Sequence, residues 1–383
     1  MQSRKLGRHD QQVSIIGLGA EHLEKIPAEQ AEAIIAAALD NGINIMDLFM
    51  PNPEIRDTIG RALKGRRQQM LIQGHLGTLW VDGQYKRSRE AEPSREHLED
   101  LLRRLQTDYI DILMIHYLDK LADVDTVFAA GGLFECALKL QQQGKARFIG
   151  ISSHEVGAAR KAIELSLGKL DVLMFSINPY HDLLPGNTDV DTMFKFEEFE
   201  GLAEDGRNQE RAELFQLCAR EGVAITVMKP YAGGYLFSDS SPFGVLTPAQ
   251  CLHYALSRPG VASVLAGYNT LEQLQATLHY LKASDEEKDL QPILQQKNWA
   301  LTKGVCMYCN HCLPCPMHLD IAALQRLNDI WQEDATVQGK LKEAYGELTG
   351  KASQCIECGS CEKACPFAVP VIQRMQQIRQ RFE

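Results

Sequence analysis

Two patterns of apolar residues alternate along the chain from residue 13 to about residue 285. Short runs rich in Val, Ile and Leu are separated by longer segments in which apolar residues return every three or four positions. The longer segments predict amphipathic helices. The short runs predict eight β-strands, at Val13–Leu18, Ile43–Phe49, Met70–Gln73, Ile110–Ile115, Ala146–Ile151, Val172–Ile177, Ala224–Met228 and Ala262–Ala266.

The strands read as continuous apolar runs, which indicates a parallel sheet covered by helices on its outer face. Eight strand-helix units predict an α/β fold of the closed (β/α)8 TIM barrel type, which we place at residues 1–285. An open doubly wound sheet is the alternative. Its nucleotide-binding form has GxGxxG after the first strand, whereas this chain has IIGLGAEHL.

Composition and charge narrow the class of protein. The 383 residues are 45% hydrophobic and 23% charged, which is typical of a globular protein and excludes a disordered chain. The net charge of −10 disfavours binding to nucleic acid or to an anionic membrane. The N-terminus is polar, and no apolar run approaches the about 18 residues of a spanning helix. We therefore expect a cytoplasmic protein.

Eight of the eleven cysteines fall in two short runs after residue 300. The second run has the spacing of a bacterial ferredoxin, and the first is one residue shorter before its last cysteine. Thiolates at this spacing are the soft ligands that iron-sulfur clusters need, whereas zinc sites use two CxxC pairs and disulfides are rare in the cytoplasm. The runs are Cys306, Cys309, Cys312 and Cys315, and Cys355, Cys358, Cys361 and Cys365, each followed by Pro.

In two-cluster ferredoxins the cysteine before Pro binds the other cluster. This resemblance assigns Cys365 to the cluster of the first run and Cys315 to that of the second, which gives two [4Fe-4S] clusters. The residues between the runs have helical periodicity. Residues 298–383 therefore predict a small α-helical ferredoxin-type domain, joined to the barrel by a linker at 286–297.

Six phrases in the barrel resemble the aldo/keto reductase family, and the whole chain resembles the branch of that family with a C-terminal double [4Fe-4S] ferredoxin-type domain. The resemblance implies a TIM barrel whose active site lies at the carboxyl ends of the strands. The phrases are RKLGRHDQQVSIIGLGA, GINIMDLF, DYIDILMIHYLD, GKARFIGISSHE, GVAITVMKPYAGGYL and PGVASVLAGYNTLEQL.

The resemblance also implies a set of catalytic residues. The family uses an Asp, a Tyr that donates a proton, a Lys that lowers the pKa of this Tyr, and a His that positions the carbonyl. Asp47 and His116 match two of these places. Asn52 stands at the Tyr place and His75 at the Lys place. The usual acid is therefore missing, although His75 can carry a proton near neutral pH.

The cofactor positions are also altered. Ser152 and Ser153 stand where the family holds the nicotinamide amide, and Lys229, Gly233 and Gly267 follow the last two strands, where backbone N–H groups can approach a phosphate. No Lys or Arg follows the last strand before Lys282, so the basic residues with which the family binds the 2′-phosphate of NADPH are missing. NAD(P)H and flavin both stay candidate organic cofactors.

Histidines follow several predicted strands and should meet at one end of the barrel. Such a set is typical of a proton-transfer site, and a metal site is the alternative. The histidines are His22, His75, His116, His154 and His181.

These features lead to an oxidoreductase hypothesis. The clusters would pass electrons between a ferredoxin or flavodoxin and a barrel site that acts on a small carbonyl or similar organic substrate. Asp47 and His75 would relay a proton there, and His116 would orient the substrate. Two alternatives stay open: an electron-transfer or binding protein with a non-catalytic barrel, and a conventional NAD(P)H-dependent carbonyl reductase.

Overall fold

The computed structural model describes most of the chain, and the described residues form two compact units. The first unit contains Met1–Asp182 and Glu213–Asp289, and the second is centred on Leu290–Glu383. The domain boundaries at 285 and 298 stay a prediction, because residues 291–305 and Cys309 lie outside the described residues. The described ranges are 1–182, 209–237, 245–290, 306, 312, 315–333, 338–365 and 368–383.

The first unit contains a closed barrel of eight parallel strands, which confirms the predicted fold class. The last barrel strand pairs with the first, so the sheet has no free edge. The strands in barrel order are β3 (Ile16–Gly19), β4 (Ile45–Leu48), β5 (Leu71–Leu76), β8 (Ile110–Ile115), β9 (Ala146–Ser153), β10 (Val172–Ser176), β11 (Ala224–Met228) and β12 (Val261–Gly267).

A short antiparallel hairpin precedes the barrel and contributes to its interior. Its strands are β1 (Ser3–Lys5) and β2 (Gln12–Ser14). Leu6 and Val13 from the hairpin are fully buried against inward-facing barrel residues, among them Ile112, Met114 and Leu265. Burial of each large apolar side chain contributes about 1.5–3 kcal/mol, so this packed interior favours the closed barrel.

Helices follow the strands, and the longer ones bury an apolar face. In α1 the buried positions include Ala31, Ile34, Ile35 and Ala38, a spacing that puts them on one side of the helix. The helices up to residue 290 are α1 (Ala28–Asp40), α2 (Pro53–Ala62), α3 (Ala91–Arg104), α4 (Leu121–Phe128), α5 (Leu133–Gln142), α6 (Val156–Leu165), α7 (Pro179–Asp182), α8 (Gln209–Glu221), α9 (Pro248–Leu256), α10 (Leu271–Leu278) and α11 (Asp285–Lys288).

A second hairpin lies between β5 and α3, where the sequence pattern predicted no strand. It consists of β6 (Thr78–Val81) and β7 (Gln84–Arg87), which pair antiparallel. The two-residue loop contains Asp82 with φ 51° and Gly83 with φ 75°. Positive φ at both central residues is the geometry of a type I′ turn, for which Asp-Gly is a preferred pair.

The second unit is built from short helices around a small apolar core. Leu324, Tyr345, Met375 and Ile378 are buried in this core. Half-buried cysteines of both runs pack against it. No helix in the described part of the chain is long and apolar enough to span a membrane. The helices are α12 (Ile321–Glu333), α13 (Gln338–Glu347), α14 (Ser360–Ala364) and α15 (Val371–Phe382).

Candidate active site

Three of the predicted polar residues lie where neighbouring barrel strands end. Asp47 is in β4, His75 is in β5, and His116 directly follows β8. The register pairs Asp47 with Gln73 and His75 with Met114, so the side chains come from adjacent strands at similar heights. Because all barrel strands are parallel, their carboxyl ends share one end of the barrel. The fold therefore brings these three side chains together.

The three side chains form a continuous hydrogen-bonded chain. His75 Nε2 lies 2.8 Å from Asp47 Oδ1, and His75 Nδ1 lies 2.9 Å from His116 Nδ1. Gln73 Nε2 donates a second hydrogen bond to Asp47 Oδ1, at 3.0 Å. All four side chains are buried, so little water competes for these bonds.

The hydrogen-bonded chain continues to Tyr85, a residue that no sequence pattern indicated. Tyr85 Oη, on the hairpin strand β7, lies 2.8 Å from His116 Nε2. A carboxylate can only accept, so His75 Nε2–H donates to Asp47. With both imidazoles neutral, His116 Nδ1–H then donates to His75, and Tyr85 Oη–H donates to His116. Every bond in the chain is satisfied in this arrangement.

Burial and neighbouring cations set the electrostatics of this chain. Burial lowers the pKa of His116 well below its ordinary value, and the nearby Arg89 and Arg87 guanidinium groups lower it further. Burial raises the pKa of Tyr85 to about 12, although the nearby Arg87 acts in the opposite direction. Near neutral pH, His116 is therefore a neutral imidazole and Tyr85 is a protonated phenol.

Aromatic contacts fix the rings in this chain. Phe49, which follows β4, stacks on His116 with ring centroids 5.2 Å apart and an angle of 16° between the planes. The same phenyl ring contacts His75 and Tyr85 edge-on. A stacked neighbour restricts rotation of an imidazole, so Phe49 helps to hold both His116 nitrogens toward their partners.

Asn52 has a structural role in the described part of the chain. Its Oδ1 accepts from Glu54 N at 3.0 Å and caps α2, and its Nδ2 donates to Glu24 Oε1 at 2.7 Å. Both ends of the amide are thus bonded outside the hydrogen-bonded chain of Asp47 and the histidines. The structure does not bring Asn52 into that chain.

Ser152 and Ser153 stand where the family holds the nicotinamide amide, and in this structure both form hydrogen bonds to the protein backbone. Ser152 Oγ accepts from Tyr117 N at 2.8 Å, and Ser153 Oγ donates to Leu118 O at 2.6 Å. These bonds hold the loop after β8 against the end of β9. A role for Ser152 or Ser153 in holding a cofactor stays a prediction.

The predicted phosphate-binding positions differ in how open they are. Gly233 and Gly234 have φ of 66° and 95°, and a Cβ at either position would have nothing within 4 Å. At Gly267 a Cβ would lie 1.9 Å from His22 Cδ2, so the His22 ring covers that glycine. Lys229 precedes the open glycines, and its backbone oxygen accepts from Asn178. The open backbone is therefore at Gly233 and Gly234.

The remaining histidines do not extend the hydrogen-bonded chain. His154 Nδ1 bonds Asp119 Oδ2 at 3.0 Å, and its ring lies 5.3 Å from that of Tyr117. Hydrogen bonds from His154 and Ser153 outweigh burial and lower the pKa of Asp119. His181 is buried in α7. Among the described residues, no three His, Cys, Asp or Glu side chains are placed to hold a metal ion.

The cysteines of both runs meet in the second unit. One cavity is lined by Cys312 and Cys315 from the first run and by Cys355, Cys358 and Cys361 from the second, next to apolar side chains. The described cysteines form no disulfide. Thiols from both runs on one apolar cavity suit a cluster that takes ligands from both.

The loop that carries the second run has an unusual backbone. Glu357 and Gly359 have φ of 55° and 74°, on either side of Cys358. Left-handed residues at alternate positions turn the chain tightly and direct backbone N–H groups inward, as in anion-binding nests. The Ser360 hydroxyl lowers the pKa of Cys358, whereas burial raises that of Cys361 to about 11.

Similar sequences and structures agree with this architecture. The profile of the aldo/keto reductase family matches residues 15–242, and that of a 4Fe-4S dicluster domain matches residues 305–370. The uncharacterized oxidoreductase YqkF of Bacillus subtilis (strain 168) is 26% identical over 333 residues, which cover 77% of this chain and 97% of the relative. The L-galactose dehydrogenase of Arabidopsis thaliana is 25% identical over 303 residues, 71% of this chain and 85% of that protein.

A solved structure shows the same barrel. The holo form of an aldo-keto reductase from Bacillus halodurans superposes with a TM-score of 0.58 at 25% identity, over 76% of this chain and 96% of that one. The family profile covers more than half of the chain, and the closed barrel agrees with it. This protein belongs to the aldo/keto reductase family and carries a C-terminal 4Fe-4S dicluster domain.

Proposed function

We propose that this protein is an iron-sulfur oxidoreductase that reduces a small carbonyl compound, or a similar organic substrate, at the carboxyl end of its barrel. One observation carries the proposal. Asp47, His75 and His116 form an unbroken hydrogen-bonded chain where the strands end. A barrel that no longer catalyses a reaction would not need a buried carboxylate and two imidazoles joined by hydrogen bonds. Such a hydrogen-bonded chain is suited to proton transfer.

The hydrogen-bonded chain can hold one extra proton. A proton added to His75 makes an ion pair with Asp47 at 2.8 Å. The His75–His116 bond then reverses, because His75 Nδ1 now carries a hydrogen and donates it. His116 correspondingly carries its hydrogen on Nε2, which lies 2.8 Å from Tyr85 Oη. The buried carboxylate thus allows the barrel to keep a proton ready for a substrate oxygen.

The dicluster domain is the proposed source of electrons. The runs would form two clusters, one bound by Cys306, Cys309, Cys312 and Cys365 and the other by Cys315, Cys355, Cys358 and Cys361. Cys315 lines one cavity with Cys355, Cys358 and Cys361, which supports its place in the second cluster, and Cys312 borders the same cavity. Iron-sulfur clusters supply electrons one at a time, and a ferredoxin or flavodoxin would refill them.

An organic carrier would collect single electrons from the clusters and pass two of them together to the carbonyl substrate. A nicotinamide or flavin supplies a hydride equivalent, that is, two electrons and a proton. The open backbone at Gly233 and Gly234, next to Lys229, fits a phosphate group of such a carrier. Gly267 does not, because the His22 ring covers it. The Ser152 hydroxyl accepts from Tyr117 N and could still donate its hydrogen to the carrier, whereas the Ser153 hydroxyl already donates to Leu118 O.

Turnover by protein purified without oxygen tests the proposal. We would measure reduction of a carbonyl panel with NADH, NADPH and reduced ferredoxin as donors. The wild type should turn over with reduced ferredoxin, and His75→Phe should lose about 100-fold in kcat because the proton relay is cut. His279→Phe is the matched control, since His279 is exposed and bonds Glu287 outside the hydrogen-bonded chain.

The other outcomes identify the alternatives. Turnover with NADPH that survives in Cys355→Ala and Cys358→Ser variants lacking clusters would indicate a conventional carbonyl reductase. No turnover with any donor would indicate an electron-transfer or binding protein. Equal activity of His75→Phe and the wild type would show that the hydrogen-bonded chain is structural only.

A further inference from the structure

The hairpin β6–β7 places a phenol at the open end of the hydrogen-bonded chain. We infer that Tyr85 is the catalytic acid that protonates the substrate oxygen, in place of the tyrosine that is missing at position 52. The inference rests on the proposed reduction and adds to it a residue from an element outside the barrel strands. Three observations carry it: the position of the hydroxyl, the occupation of His116, and the surrounding charge.

The hairpin holds Tyr85 in a defined position. The type I′ turn at Asp82 and Gly83 fixes the register, which pairs Trp80 with Tyr85. Side chains alternate along a strand, so Tyr85 and Arg87 lie on the same face of β7. The guanidinium of Arg87 lies 4.1 Å from the ring centroid of Tyr117, the residue that follows His116. This contact ties the hairpin to the loop after β8.

His116 has no nitrogen left for a substrate. Its Nδ1 is bonded to His75 and its Nε2 to Tyr85, at 2.9 Å and 2.8 Å. The resemblance assigned His116 to direct contact with the carbonyl, but in this structure the Tyr85 hydroxyl occupies its Nε2. Tyr85 is 42% exposed, whereas His116 is 6% exposed. A substrate oxygen that approaches the chain therefore meets Tyr85 first.

The proton step balances in this arrangement. With the extra proton on His75, His116 Nε2–H donates to Tyr85 Oη, and the phenol hydrogen is free to point at the substrate. A bound reduced nicotinamide or flavin would supply the hydride equivalent to the carbonyl carbon as the C=O π bond breaks, and would itself be oxidised. The carbonyl oxygen takes the Tyr85 proton, and protons shift from His116 to Tyr85 and from His75 to His116. His75 is left neutral, and the product is an alcohol.

The charges around Tyr85 suit an acid of this kind. Burial raises its pKa to about 12, so the phenol keeps its proton at neutral pH until a stronger base forms. The alkoxide that forms as hydride reaches a carbonyl is such a base. Arg87 and Arg89 act to lower the same pKa, so they stabilise the phenolate during transfer. Arg89 is itself fixed by hydrogen bonds to His116 O and Tyr117 O.

Replacement of the phenol in the full-length protein with its clusters tests the inference. For Tyr85→Phe we expect kcat for an unactivated ketone to fall by about 100-fold or more, with a much smaller change in KM. A ketone activated by fluorine should lose less, because its alkoxide needs less help from an acid. Tyr109→Phe is the matched control, since Tyr109 precedes the opposite end of β8 and packs on Arg67 and Arg147.

A second measurement does not depend on turnover. In protein with 15N-labelled histidine, Tyr85→Phe should shift the Nε2 resonance of His116, whereas Tyr109→Phe should not. An unchanged resonance, or kcat within about threefold of the wild type on the unactivated ketone, would overturn the inference while leaving the proposed function standing.

The pattern of activities separates this inference from the proposed function. A Tyr85→Phe defect in turnover driven by NADPH, in a protein whose clusters are dispensable, would support the catalytic acid and overturn the proposed electron path. A wild type that reduces no carbonyl with any donor would overturn both.

Discussion

The barrel and the second unit hold their functional groups in different ways. In the barrel, Asp47, His75 and His116 satisfy one another's hydrogen bonds, so the site is complete as a protein structure. In the second unit, Cys355 and Cys361 line an apolar cavity and pack against a small core. The polar groups of the barrel site bond one another, whereas the cysteines are arranged to bind a cluster.

This difference follows from size and from the source of stability. The barrel buries a packed interior in addition to the faces of its helices, and its strands form a closed hydrogen-bonded sheet. The second unit has short helices and one small core. Small domains commonly need metals or disulfides as additional constraints. We therefore expect the two units to respond differently to the same treatments.

Removal of the clusters should have the largest effect and should be confined to the second unit. The free energy of binding a metal site contributes to the free energy of folding. Chelation under air should therefore abolish the visible absorbance and unfold the core that contains Leu341 and Tyr345. Hydrogen exchange should show loss of protection in α13 and α15 and retained protection in the barrel strands. Retained protection in both helices would show that the second unit folds without clusters.

Asp47→Asn should have the next largest effect, and only on activity. The amide keeps the shape of the side chain but removes the charge that stabilises a proton on His75. We expect kcat to fall by about 100-fold with little change in KM, since the proton is needed in the transition state. Steady-state kinetics at fixed donor would check this. A loss in KM alone would assign Asp47 to substrate binding.

Glycine-to-alanine changes should move stability in opposite directions in the two units. A Cβ at Gly60 in α2 would lie 2.2 Å from Arg104 O, so Gly60→Ala should lower the free energy of unfolding by about 1–3 kcal/mol. Gly346 in α13 has nothing within 4 Å, so Gly346→Ala should stabilise its helix by about 0.5–1 kcal/mol. Hydrogen exchange read separately in each helix measures both values. Stabilisation by both changes would show that α2 moves to make room.

The pH dependence should show the smallest effect. The pKa of His116 lies well below its ordinary value, because it is buried and faces His75, His154, Arg87 and Arg89. It should stay neutral as the pH falls from 8 to about 6, so its protonation removes no activity in this range. Ring resonances of His116 followed by NMR would test this. Titration of His116 near pH 6.5 would contradict the buried chain.

The sequence predicted most of the barrel, because strand periodicity and burial agree there. Ile110–Ile115 and Ala224–Met228 have the predicted ends. The prediction of Val13–Leu18 as one strand was wrong, because the run divides between β2 of the hairpin that precedes the barrel and β3 of the barrel. Apolar composition shows that a segment is buried, but it does not show which sheet it joins.

The hairpin β6–β7 was missed although its turn carries a signal. Asp82-Gly83 between the runs TLWV and QYKR is a strong hairpin pattern. Strand β7 is exposed along its length and neither strand belongs to the barrel, so the apolar pattern that predicts barrel strands does not extend to them. Tyr85 was missed together with this hairpin. Its partner His116 lies 31 positions away in the sequence, and only the fold brings the two side chains together.

The strand ends predicted which polar residues would meet, but not what each would bond. Asp47, His75 and His116 lie together because parallel strands end at one side of a barrel. Asn52 was assigned to the same site from the resemblance alone, yet it caps α2. Capping and loop bonds depend on local geometry that a family pattern does not encode.

The hairpin has a consequence for how such enzymes diversify. Tyr85 reaches His116 from a hairpin between β5 and α3 rather than from a barrel strand. If Tyr85 is the acid we infer, changes to this hairpin can exchange one acid for another without disturbing the interior that keeps the barrel folded. Directed evolution of new specificity would therefore best begin with a library confined to β6 and β7.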